Sequence, residues 1–170
     1  MLSKNCSEYL IKDLSELDCF CSDLAKSLLD KLLEGKKDIF LLFKGTLAAG
    51  KTTAIISLLK ALGIRDSASS PTFMGLHEYD IYLDPAKIQP QIVSKFYHLD
   101  LYQKNIDLEI LLDLMNTSEP IIWALEWSEK MDSETKNFLL EKNKLNHLYI
   151  YEIEISSDFA GMRKISIRAI

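Results

Sequence analysis

Residues Gly45-Thr46-Leu47-Ala48-Ala49-Gly50-Lys51-Thr52-Thr53 read G-x-x-x-x-G-K-[ST], a pattern that leaves few folds open to the chain around it. The apolar run Ile39-Phe40-Leu41-Leu42-Phe43 precedes it, after the polar turn Gly35-Lys36-Lys37-Asp38. A short run of β-branched and aromatic residues bounded by charge predicts a buried parallel strand. After the loop, Ile55, Leu58, Leu59 and Leu62 recur at helical spacing, and Gly63 supplies a C-terminal stop. Strand, glycine-bounded loop and helix stand in the order that a phosphate-binding P-loop needs. Gly45 and Gly50 allow a tight turn and close backbone approach. The loop amides and the helix start then form an anion cradle. Lys51 can reach the β- and γ-phosphates, and the Thr52 hydroxyl can ligate Mg²⁺.

The chain has 170 residues, 48% of them hydrophobic, which predicts one globular domain with a sizeable core. A net charge of −5 argues against a broad electrostatic surface for nucleic acid. Residues 1–6 show no signal-peptide hydrophobic region, and no apolar run reaches membrane-spanning length, so a cytoplasmic protein without membrane contact is expected. Cys6, Cys19 and Cys21 make neither a disulfide framework nor a zinc pattern, and buried or half-buried free thiols are expected.

Before the loop, Leu17, Phe20, Cys21, Leu24, Leu28 and Leu32 form a helical stripe, with Ser15 and Asp18 as its capping start and Gly35 as its end. After Gly63, the polar segment Arg65 to Thr72 reads equally as a connector or as a nucleotide-sensing loop. Phe73 to Tyr82 and Ile92 to Leu101 are extended and can pair as a long antiparallel hairpin. His98 and Asp100, two apart, share one strand face. Spacing alone favours a solvated face, while an aspartate near a γ-phosphate could orient water. A helix follows at Ile106 to Met115, then a buried strand Ile121-Ile122-Trp123-Ala124-Leu125 ending in Glu126-Trp127. A carboxyl at the C-terminal end of such a strand is placed to hold Mg²⁺. A polar helix at Met131 to Lys142 and a hairpin from the alternating runs Tyr149 to Ile155 and Ile165 to Ala169 complete the chain.

Four blocks together resemble one family. Gly45 to Thr53, Ser70-Pro71-Thr72-Phe73, His98-Leu99-Asp100-Leu101-Tyr102 and Leu125-Glu126-Trp127 are similar in order and interval to the TsaE (YjeE) family, small P-loop ATPases of bacterial tRNA threonylcarbamoyladenosine synthesis. The resemblance covers roughly residues 15 to 130. It implies an α/β fold, a P-loop NTPase-like sheet flanked by helices with antiparallel hairpin elements. It implies ATP and Mg²⁺ as ligands, Lys51 on phosphate, Thr52 and Glu126 on the metal, and Asp100 organising the hydrolytic water. Ser70 to Phe73 would form a mobile loop near the nucleotide, with Trp127 beside the site. TsaD and TsaB would be partners, and tRNA contact would be indirect. Three residues depart from the family pattern. Thr46 stands where an acidic residue is usual, Ala48 where glycine is usual, and Gln103 where arginine is usual. Thr46 and Gln103 bear on docking or turnover; Ala48 would be strained if its φ is positive. Two other readings stand beside a slow, partner-dependent ATPase: a nucleotide-dependent binding module that does not hydrolyse, and a small-molecule kinase.

Overall fold

The computed structural model describes residues 6–35, 37–64, 75–82, 92–102, 107–115, 119–157 and 161–170. In chain order the elements are β1 (Ser7–Ile11), α1 (Leu14–Gly35), β2 (Asp38–Lys44), α2 (Lys51–Ala61), β3 (Leu76–Tyr82), β4 (Ile92–Asp100), α3 (Leu108–Met115), β5 (Ile121–Glu126), a 3₁₀ turn (Ser128–Lys130), α4 (Ser133–Lys144), β6 (Leu148–Ser157) and β7 (Arg163–Ala169). The seven strands form one mixed sheet in the order β1-β7-β6-β2-β5-β4-β3. Its centre is parallel: β2 lies between β6 and β5, and β5 pairs in parallel with β4. The margins are antiparallel, through β3 on β4, β7 on β6 and β1 on β7.

The apolar run of β2 is continuous because both sheet faces are covered. Ile39, Leu41 and Phe43 face a core shared with Leu24 and Leu28 of α1 and Ile55 and Leu58 of α2. Phe40 and Leu42 face a second core containing Leu111 of α3 and Leu139 of α4. There Trp123 lies between Phe40 and Tyr97, with ring centroids 5.4 and 4.8 Å away. Such offset aromatic pairs add to the burial of their area.

The predicted stripe of α1 is buried at all six positions. Its start differs from the expectation at Ser15 and Asp18. The cap is Asp13, whose Oδ1 accepts the Glu16 amide at 2.9 Å, while Glu16 Oε2 accepts the Lys12 amide at 2.8 Å. The cap stands two residues upstream of the expected one, and Glu16 reaches back past it to the Lys12 amide, a variant of the capping-box arrangement. Asp18 instead accepts the Ser57 hydroxyl of α2, tying the two helices together. The expectation of buried thiols holds for Cys21 and fails for Cys6 and Cys19, which are exposed. Cys19 lies about 200° around the helix from Cys21 and so points to solvent. Burial pushes the Cys21 thiol up to about 11, so it stays protonated.

Both predicted hairpins form, the first pairing Leu76 with Leu99 and His77 with His98. Strand β1 has no counterpart in the sequence reading. Its alternation spans five residues and includes the exposed Leu10, so the pattern is weak, and β7 is what holds it in place. Among the described residues, no helix is long and apolar enough to cross a membrane.

Candidate functional site

The C-terminal ends of β2, β4 and β5 converge, since Phe43 pairs with Glu126 and Asp100 with Glu126 across the parallel ladders. Chain reversal after β2 requires the loop to turn immediately, and its backbone shows how. Gly45 has φ +140°, and a Cβ there would stand 2.3 Å from the Ile155 carbonyl oxygen. Gly50, at φ +106°, caps α2, and Ala54 N–H donates back to it at 2.9 Å. Arg163 of β7 braces the loop from outside, its Nε donating to the Ala49 carbonyl at 3.1 Å.

Ala48 does occupy the left-handed region, at φ +62°. That conformation costs an L-residue about 1–2 kcal/mol, part of which glycine gives back through the greater freedom of its unfolded chain. Ala48→Gly is therefore expected to raise stability by about 0.5–1 kcal/mol, a rise of about 1–4 °C in Tm. A thermal melt that shows a lower Tm for the variant would remove the strain assigned to this residue.

Lys51 is only 4% exposed although it opens a helix. Its Nζ donates to the Gly45 and Thr46 carbonyls at 2.7 and 2.9 Å and sits 3.6 Å from the Trp127 ring centroid. Carbonyl oxygens and an aromatic face here take the place that an anion would fill against the ammonium. Trp127 reaches that position from a left-handed backbone, φ +56°, where the chain leaves β5 for the 3₁₀ turn. Tyr102 packs on its ring at 4.9 Å, and Lys130 stacks over Tyr102 at 3.8 Å.

Thr52, one residue along, donates from Oγ1 to Glu126 Oε2 at 2.9 Å. Glu126 is 3% exposed, and its Oε1 meets His98 Nε2 at 2.9 Å. Asp100 is half-buried, with Oδ1 accepting the Tyr102 amide at 2.8 Å. A cleft of about 430 Å³ gathers Leu47, Ala48, Gly50, Lys51, Thr52, Thr53, Asp100, Tyr102, Glu126 and Trp127. The structure thus brings together most of the residues predicted from sequence. Gly45, Thr46 and Ala49 shape the loop without lining this cleft. The solvated face expected for His98 is replaced by burial, because β4 is an interior strand and His98 is 8% exposed. Arg65, Ser70 to Phe73 and Gln103 lie outside the described residues.

Sequence reasoning missed a second cavity of about 280 Å³ on the other side of the loop. Ile11, Leu17, Ile155 and Ile165 give it apolar walls, Lys12, Asp13 and Arg163 are its charged residues, and Ala48, Ala49, Gly50 and Thr53 join it to the loop. Only the pairing of β1 with β7 assembles it, so no local signal announced it.

Among the described residues, no group of three or more His, Cys, Asp or Glu side chains is arranged to hold a metal. Thr52 and Glu126 still suit Mg²⁺, which takes few protein ligands and completes its shell with phosphate oxygens and water. The Thr52 hydroxyl commits its one proton to Glu126, which leaves its lone pairs for a cation.

The protein is thus a mixed α/β sheet in which a helix-opening Lys-Thr pair, after a glycine-bounded loop, faces a strand-end carboxyl. The family model described as "Threonylcarbamoyl adenosine biosynthesis protein TsaE" matches residues 12–164, and the chain belongs to that family. Two curated proteins named "tRNA threonylcarbamoyladenosine biosynthesis protein TsaE" are similar to it. The one from Nostoc sp. is 32% identical over 105 residues, 58% of this chain and 58% of that protein. The one from Synechocystis sp. is 30% identical over 135 residues, 76% of this chain and 75% of that protein. The chain thus spans less than two thirds of the Nostoc relative's length in the match. The crystal structure of Bacillus subtilis YdiB shares the fold, with a TM-score of 0.61 and 18% identity over 98% of this chain and 86% of that one.

Proposed function

We propose that this protein is a Mg²⁺-dependent ATP-binding and ATP-hydrolysing subunit that supports threonylcarbamoyladenosine modification of tRNA. The observation that carries the reading is the Thr52–Glu126 hydrogen bond of 2.9 Å beside the buried Lys51 ammonium. A metal-ligating hydroxyl, an acidic strand end and a phosphate-reaching cation are thereby already in one cleft.

Lys51 exchanges its carbonyl contacts for the β- and γ-phosphates, and the loop amides and the start of α2 hold the remaining phosphate oxygens. Thr52 and Glu126 hold Mg²⁺, which when bound neutralises charge building on the phosphates. Asp100, oriented by the Tyr102 amide, accepts a hydrogen bond from the attacking water and sets its line toward the γ-phosphate. Trp127 shields the Lys51 side of the cleft. The adjoining 280 Å³ cavity, with apolar walls and three charged residues, is assigned to the base and ribose.

Turnover by the isolated chain is expected to be slow. Of its three arginines, Arg163 braces the loop and Arg168 pairs with Glu152, so neither serves as a finger. The partners are homologues of TsaD and TsaB. Leu47, 78% exposed at the loop tip, and Tyr102, 52% exposed, give the cleft mouth an apolar surface for such contact. With a net charge of −5, tRNA contact is assigned to the assembly rather than to this chain.

Phosphate release from Mg²⁺-ATP, measured with and without the TsaB and TsaD homologues, tests the reading. Stimulation by the pair, lost in both Lys51→Ala and Glu126→Ala, is expected. Tight ATP binding with no release in either condition would replace it with a nucleotide-gated binding module. Transfer of phosphate to a metabolite would replace it with a kinase.

A further inference from the structure

We propose that His98 is a positioning residue that holds Glu126 in its metal-binding orientation, an inference that rests on the Mg²⁺-nucleotide reading of the cleft. The contact is His98 Nε2 to Glu126 Oε1, 2.9 Å, between side chains 11% and 4% exposed. As a metal-binding carboxylate Glu126 accepts at both oxygens, so on that reading the fitting tautomer donates from Nε2 to Oε1.

The two bonds restrain different oxygens of one carboxyl. Thr52 reaches Oε2 from α2, and His98 reaches Oε1 from β4, the strand beside β5. Rotation of the carboxyl about its terminal bond would break both. A buried carboxyl with one of these partners removed would turn to recover the lost bond, because an unmet polar group in such surroundings is costly. The imidazole is itself steadied from the far side. His77 is its cross-strand partner, with ring centroids 5.8 Å apart and planes at 27°.

Position 98 has no packing reason to be histidine. Phe96, on the same face two residues earlier, is fully buried and apolar, and the next strand presents Ala124 at the register position of His98. An imidazole buried there is stabilised by the Glu126 bond rather than by apolar contact. Groups that orient metal ligands in this way typically change metal affinity by about 10–100-fold when removed.

The experiment measures ADP affinity by titration calorimetry in EDTA and in saturating Mg²⁺, for wild type, His98→Asn, His98→Leu and His98→Gln, with a thermal melt on each. Glutamine extends its amide about as far as Nε2, and asparagine stops short. Expected is a loss of about tenfold in the Mg²⁺-induced tightening of ADP for the Asn and Leu variants, recovery in Gln, and near-constant affinity in EDTA. Should Leu fail to fold, Asn carries the comparison. The proposal is overturned if Asn keeps the wild-type tightening, if Gln is as defective as Asn, or if affinity in EDTA falls in step. Absence of Mg²⁺ tightening in the wild type would instead overturn the metal reading itself, and His98's role with it.

Discussion

Gly45→Ala is expected to cost about 4 kcal/mol of stability and to remove nucleotide binding. Two separate penalties meet at this residue. Its φ of +140° is one that L-residues rarely adopt, and the new methyl would stand 2.3 Å from the Ile155 carbonyl oxygen. That oxygen is backbone, and it belongs to β6, which pairs with β2 on one side and β7 on the other. It cannot swing aside as the end of a side chain would, so the loop must move. The Gly45 carbonyl would move with it, and that carbonyl is one of the two that now hold the Lys51 ammonium. For a domain of this size the cost corresponds to a fall of about 8–16 °C in Tm.

Gly50→Ala is the internal control. Its φ of +106° is also unfavourable, but nothing lies within 4 Å of the position a Cβ would take. It carries the conformational penalty alone, about 1–2 kcal/mol. Thermal melts and ADP titrations on the two variants separate clash from strain. Equal losses of Tm would show that the approach of Ile155 to the loop has no energetic weight.

The contrast between the two glycines also marks what the sequence could reveal. The motif and its flanks were legible because strand, loop and helix are contiguous, and the pattern of β2 follows directly from burial on both faces. The partner of Gly45 is 110 residues away in β6, and nothing near Gly45 announces it. Asp100 and Glu126 could each be singled out as strand-end carboxyls, but only the β4–β5 register puts them opposite one another. The same register buries His98, which two-residue spacing alone assigned to solvent. The start of α1 was misplaced for a different reason. Ser15 and Asp18 resemble a cap in isolation, but Asp13 is what accepts the Glu16 amide of the first turn, while the Glu16 carboxyl takes the Lys12 amide just outside the helix. Strand β1, and with it the second cavity, depends on a partner in the last tenth of the chain.

At the opposite end of the sheet from the loop, Asp38→Asn is expected to stabilise the protein by about 2 kcal/mol at pH 8 and by little at pH 4. Asp38 opens β2, and its Oδ1 accepts the Ile121 amide at the start of β5, 2.8 Å away. Burial pushes its carboxyl up to about 6, against the opposing pull of that amide and of the Trp123 indole. The indole N–H is buried and approaches the carboxyl without reaching hydrogen-bond geometry with it. In the unfolded chain the group titrates near its ordinary value of 3.8. The folded state therefore retains a proton that the unfolded state has lost across the interval from 3.8 to about 6. The stability linked to that proton is complete below the lower value and is lost as pH rises through the upper one. Asparagine keeps an acceptor for the Ile121 amide and never charges, so it is spared that loss. Its amide hydrogens carry a cost of their own, but one that does not vary with pH. The diagnostic is therefore the difference between the two stability curves, measured by urea unfolding from pH 4 to pH 8. A difference that climbs between pH 4 and 6 and then levels off identifies Asp38 as the half-buried charge at the base of the central strands. Parallel curves across the whole range would show that the carboxyl ionises as freely in the sheet as in the unfolded chain.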